Sequence, residues 1–97
     1  MTFEWDEAKS AETYWRRGFD FAVASMIFEG PVLAIMDTRF DYGERRFIAI
    51  GIVDGTYLTV VYTDRDNGAR RRIISAWTSN RKERRRYDQA YADPSIR

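Results

Sequence analysis

Two dipeptides constrain this chain more than anything else in it: Asp54-Gly55 and Asn67-Gly68 each stand between runs of apolar and β-branched residues. Both put residues that tolerate positive φ where a two-residue type I′ turn needs them, so each joins a pair of antiparallel strands. The runs are Val32 to Met36, Phe47 to Val53, Tyr57 to Tyr62 and Arg72 to Ala76, and Asp41-Tyr42-Gly43 turns the chain between the first two. The simplest arrangement is a four-stranded antiparallel meander.

The residues before Val32 follow a helical period. Trp5 to Gly18 reads as a helix capped by Asp6 and stopped by Gly18, with Ala8, Ala11 and Trp15 expected to face the core. Its other side presents Lys9, Thr13, Arg16 and Arg17. A second helix starts at Asp20, turns Phe21, Ala24, Ile27 and Phe28 inward, and ends at Glu29-Gly30-Pro31. After the strands, Asn80-Arg81-Lys82-Glu83 has the form of a capping box and opens a basic helix in which Tyr87 and Tyr91 lie one turn apart. The expected fold is therefore α+β: two N-terminal helices, a four-stranded antiparallel meander and a C-terminal helix. It forms a single domain over residues 1–97, with Thr2 to Trp5 as an optional short strand.

Composition narrows the chemistry. The chain has neither histidine nor cysteine, which removes imidazole bases, thiolate nucleophiles and most zinc sites, and no metal-ligand spacing or nucleotide-binding glycine loop replaces them. No cofactor is expected. Through Thr38 there are 3 bases against 7 acids, and from Arg39 onward 13 bases against 8 acids, so a net charge of +1 conceals two halves of opposite sign. The second half suits a polyanion. With no leader-like start, no long apolar run and no disulfide framework, the expected setting is soluble and cytoplasmic, away from membranes.

Counting back from the two turns aligns Arg46 opposite Thr63 and Thr63 opposite Arg72. That places two arginines on one sheet face, two strand spacings or about 10 Å apart, close enough to converge on one phosphate. A one-residue slip in either hairpin would separate them.

These segments also resemble a known family. FEWDEAK at 3–9, RRG at 16–18, GERRFIAIG at 43–51, VVYT at 60–63, RRIISAW at 71–77 and RKERRRY at 81–87 are similar, in order, to the BrnT toxins. The resemblance implies membership of the RelE-like ribonuclease toxins, with helices packed on an antiparallel sheet and RNA as substrate. It also implies a ribbon-helix-helix antitoxin as partner, and operator DNA bound only through the toxin–antitoxin complex. Lys9, Arg46 and Arg72 would lie near the scissile phosphate. The chain departs from the family pattern at Arg16-Arg17-Gly18, where Lys-His-Gly is usual, at Thr13, where an asparagine is common, and at Trp77, where an arginine is. Arg17 can supply charge but cannot shuttle a proton. Trp77 exchanges a cation for a surface on which a base can stack.

RNA cleavage by a 2′-hydroxyl requires in-line geometry, a proton acceptor and stabilisation of charge on the phosphoryl oxygens. Arg46 and Arg72 can supply the last. Proton transfer falls to Lys9, whose neutral form the nearby Arg16 and Arg17 favour, then to Glu44, then to Tyr62 or Tyr87. Arg16, Arg17, Thr63, Trp77 and Tyr87 are the expected RNA contacts. Each residue also has a structural role that would explain it. Arg46 can simply pair with Glu44, the helix cations can be a solvated face, Trp77 can pack under a helix, and Trp15 can join Trp5, Phe21, Phe28 and Phe47 in the core. Two functions follow: a metal-independent endoribonuclease toxin, or a catalytically weakened BrnT-like protein that binds its antitoxin and acts in operator autoregulation.

Overall fold

The computed structural model describes residues 1–91, so the last six residues of the expected single-domain span lie outside the described residues. The elements run β1 (Thr2–Trp5), α1 (Glu7–Arg17), α2 (Phe21–Ser25) continuing into a 3-10 turn (Met26–Glu29), β2 (Leu33–Met36), β3 (Phe47–Val53), β4 (Thr56–Arg65), β5 (Arg70–Thr78) and α3 (Arg81–Ala90). None of the described helices is long and apolar enough to cross a membrane.

Strands β2 to β5 form the meander that the turns predict, and β1 adds a fifth strand, in the order β1-β5-β4-β3-β2. The new strand runs parallel to β5, from Thr2 beside Arg70 to Trp5 beside Ile73. The sheet is thus mixed and five-stranded rather than four-stranded and antiparallel. A hairpin announces itself by its turn, whereas a parallel neighbour reached through a long crossover leaves no local signal. Glu4 pairs with an arginine 68 residues further along the chain.

The first turn has the two-residue backbone its residues call for, and the second is wider. Asp54 and Gly55, with φ of 47° and 79°, close the β3–β4 hairpin with Val53 opposite Thr56. Between β4 and β5 the positive φ extends over Asp66, Asn67 and Gly68, and the Ala69 amide donates to the Asp66 carbonyl at 3.1 Å. The count survives, and Thr63 faces Arg72. Further along, Tyr62 pairs with Ile73 but Val61 with Ser75, so Ile74 is an extra residue in a bulge. Because the bulge lies beyond the row as counted from the turn, the alignment of Thr63 with Arg72 is untouched.

One sheet face is sealed by α2 and the 3-10 turn, which press Phe21, Ala24 and Ile27 against Ala49, Leu58, Val60, Tyr62, Ile73 and Ala76. Gly51 permits this approach: a Cβ there would lie 2.7 Å from the Ile27 Cβ. On the other face α3 crosses one end, opened by the expected capping box, in which Asn80 and Glu83 each bond the other's backbone amide at 2.8 Å. Tyr87 meets Tyr57 edge-on and its hydroxyl donates to the Pro31 carbonyl at 3.0 Å.

Helix α1 has the predicted ends, with Asp6 accepting from the amides of Ala8 and Lys9 and Gly18 at φ 86°, but it is rotated from the expected orientation. Ser10, rather than Ala8, Ala11 and Trp15, is the buried residue, and Trp15 is 84% exposed. The physical reason is position: α1 lies beside α2 and β5, where a small hydroxyl is more useful than an aromatic ring. Ser10 Oγ accepts from the Phe21 amide at 3.0 Å, satisfying one of the unpaired donors at the start of α2.

Candidate functional site

The open end of the second sheet face carries a cavity of about 180 Å³ bordered by Asp6, Lys9, Glu44, Arg46, Arg65 and Arg72, with Ile73 and Ile74 as its apolar wall. All four residues expected to do chemistry, Lys9, Glu44, Arg46 and Arg72, therefore meet at one place. Strand register accounts for the arginines, since Arg46 immediately precedes β3 and extends the pairing that sets Phe47 opposite Tyr62. Helix α1 accounts for Lys9: β1 ends with Trp5 beside Ile73, Asp6 caps the helix, and its first turn brings Lys9 to the cavity wall formed by Ile73 and Ile74.

The guanidinium groups are already engaged. Arg46 Nε donates to Glu44 at 3.0 Å and Arg72 Nη1 to Glu4 at 3.0 Å. Arg65 lies between them, 3.7 Å from each carboxylate, and Arg70 reaches the other Glu4 oxygen at 2.6 Å. The Arg72 hydrogen bond, aided by the field of Arg70 and Arg65, holds the Glu4 carboxyl below its ordinary range against the opposing effect of burial. These side chains remain partly open to solvent, so each pair contributes little to stability. Such pairs are exchangeable. A phosphate offers more charge and the same fork geometry, and can take the place of either carboxylate.

A second cavity of about 180 Å³ adjoins the first, sharing Lys9 and Ile74 and adding Thr13, Arg16, Arg17 and Ser75. Arg16 holds Glu12 at 3.1 Å on the exposed side of the helix. Lys9 stands at the junction of the two cavities. Together they offer a row of cations from Arg65 to Arg17.

The structure does not bring the remaining expected residues to either cavity. Thr63 keeps its place in the row but is buried, its hydroxyl donating to the Arg45 carbonyl at 2.7 Å. Trp77 pairs with the capping box, its indole Nε1 donating to Glu83 at 3.2 Å, and Tyr87 is buried between α3, which carries it, and Tyr57 of the sheet. Tyr62 lies in the core on the opposite face, where burial raises its phenol pKa. Three residues with no expected site role complete it: Asp6, expected only as a helix cap, Arg65 and Glu4. Arg65 was findable, because it shares the parity of Thr63, but the strand was expected to stop at Tyr62. Nothing local pointed to Glu4.

An α+β domain whose charged cavity interleaves carboxylates with guanidiniums, on a sheet otherwise sealed by helices, is of the class that handles anionic substrates. Its relationship is narrower than that class. The family of ribonuclease toxins described as BrnT, of type II toxin–antitoxin systems, matches residues 5–83. The chain belongs to this family, which implies an RNA substrate and an antitoxin partner. A search of the curated proteins finds no match.

Proposed function

We propose that this protein is an endoribonuclease toxin that cleaves RNA at the Lys9–Arg46–Arg72 cavity without a metal cofactor. The supporting observation is the convergence of those residues on one space from three separate parts of the chain. The substrate 2′-oxygen attacks phosphorus, the bond to the 5′-oxygen breaks, and the products are a cyclic phosphate and a free 5′-hydroxyl. Arg46 and Arg72 displace their carboxylates onto the non-bridging oxygens, where negative charge grows, and Arg65 supports both. Lys9 exchanges protons with the reacting oxygens, with Glu44 as the second candidate. Arg16 and Arg17 hold a neighbouring phosphate in the adjoining cavity.

On this reading a ribbon-helix-helix antitoxin neutralises the toxin by covering the cationic cavities, operator DNA is bound only through that complex, and the pair works in the cytoplasm as in the RelE-like toxins. A second reading follows from Arg17, which borders the adjoining cavity where a histidine would be usual and contributes charge without proton transfer. On that reading the protein binds its antitoxin and acts in operator autoregulation with little cleavage of its own.

Labelled RNA incubated with purified protein in chelator separates the two. Cleavage that disappears in Arg72→Ala supports the endoribonuclease, while intact RNA from a protein that still binds antitoxin supports the second reading.

A further inference from the structure

We propose that Asp37 and Tyr42 are positioning residues that hold the Arg46 guanidinium at the cavity; the inference rests on the phosphate-binding role given to Arg46 above.

Asp37 follows β2, and its amide donates to the Arg46 carbonyl at 2.7 Å, so the two residues are the last rung of the β2–β3 ladder before the loop opens. Its carboxylate is fully enclosed. Arg39 grips it with Nε and Nη2, both at 2.8 Å, and the Tyr42 hydroxyl donates to Oδ2 at 3.0 Å. A side-chain carboxylate with no solvent access and four donors, the Arg39 amide at 3.2 Å included, fixes whatever donates to it. What it fixes here is the ring of Tyr42, and 4.2 Å from the centre of that ring lies the Arg46 Cζ. The Glu44 carboxylate takes the Nε edge of the same guanidinium at 3.0 Å. Arg46 is thus held on one flat side by an aromatic face and on one edge by a carboxylate, an arrangement that aims a planar cation.

The loop is built to return Tyr42 to this position. Asp41 Oδ1 accepts from the Gly43 amide at 3.0 Å, and Gly43 at φ 73° reverses the chain toward Glu44. A surface loop that needed only to connect two strands has no use for an enclosed carboxylate. The enclosed carboxylate and the ring bonded to it are explained together if the loop's task is to orient Arg46.

Two measurements on the full chain test this. The first needs no activity: the Arg46 Nε–Hε resonance should lie upfield because of the Tyr42 ring, lose much of that shift in Tyr42→Phe and Asp37→Asn, which both break the hydroxyl–carboxylate hydrogen bond, and lose all of it in Tyr42→Leu. The second is a double-mutant cycle on RNA cleavage. Asp37→Asn should lower kcat/KM about ten-fold and change it less than about two-fold when added to Arg46→Ala. An Arg46 resonance unmoved by Tyr42→Leu, or an Asp37→Asn effect just as large without Arg46, overturns the proposal. If Asp37→Asn does not fold, Tyr42→Leu carries both measurements. Absence of cleavage by the unaltered protein defeats the catalytic reading, whereas the resonance still decides the positioning.

Discussion

Arg71 and Arg72 are neighbours on β5 with opposite surroundings. Arg71 turns to the helix-covered face, where Asp64 grips it at 2.7 and 2.9 Å and its guanidinium lies over the rings of Phe28 and Tyr62 at 4.6 and 4.3 Å. Arg72 turns to the open face and the cavity, sharing Glu4 with Arg65 and Arg70. The first has its hydrogen bonds and its aromatic contacts supplied by partners of its own. The second belongs to a set in which three guanidiniums share the Glu4 carboxylate, Arg65 reaching Glu44 as well and Arg70 Asp66. A count of cations cannot separate the two, but the pleat of one strand does.

The sharpest way to break this contrast is to remove each arginine in turn. Arg72→Ala should lower RNA cleavage by about 100-fold or more with little change in thermal stability. Arg71→Ala should leave cleavage within about two-fold of the original and lower stability by about 1–2 kcal/mol, as expected for a partly shielded charged hydrogen bond. Denaturant titration and single-turnover cleavage of both variants give the comparison, and a reversed pattern would place the site on the wrong face.

A smaller effect is expected from Glu4→Gln, which releases Arg65, Arg70 and Arg72 from their shared carboxylate. Binding to a non-cleavable RNA should tighten a few-fold, and its dependence on salt should steepen as one more phosphate contact becomes available. The same variant has a pH signature. Because the folded protein holds the Glu4 carboxyl below its ordinary range, its pairing adds stability above the unfolded-chain value and loses it as pH falls through the folded value. Stability of Glu4→Gln should therefore fall less steeply in acid than that of the unaltered chain. The smallest effect belongs to Trp15→Ser, which should change stability by less than about 0.5 kcal/mol, since the ring is solvent-exposed. A large loss on unfolding would restore Trp15 to the core.

How much of this could be read beforehand follows the range of the interactions. The Asp54-Gly55 and Asn67-Gly68 turns fix the β3–β4–β5 register locally, and the row from Arg46 to Arg72 follows by counting, whereas the bulge at Ile74 left no such signal. Caps at Asp6, Gly18 and Asn80 are likewise local, and each was legible from a few residues. The orientation of α1 was not, because Ala8, Ala11 and Trp15 satisfy a helical period as well as Ser10 does, and only the position of the helix beside α2 and β5 decides between them. Arg65 was lost through a strand end drawn too early. Glu4 was invisible for a deeper reason, since parallel pairing joins distant segments without any turn between them.

That parallel pairing has a consequence in time. The cleft is closed by the first strand of the chain and the last, Glu4 against Arg72, so a nascent polypeptide lacks it until β5 has left the ribosome. Neither segment carries the cavity alone, so it can be assembled only after all the chain between them has been made and folded.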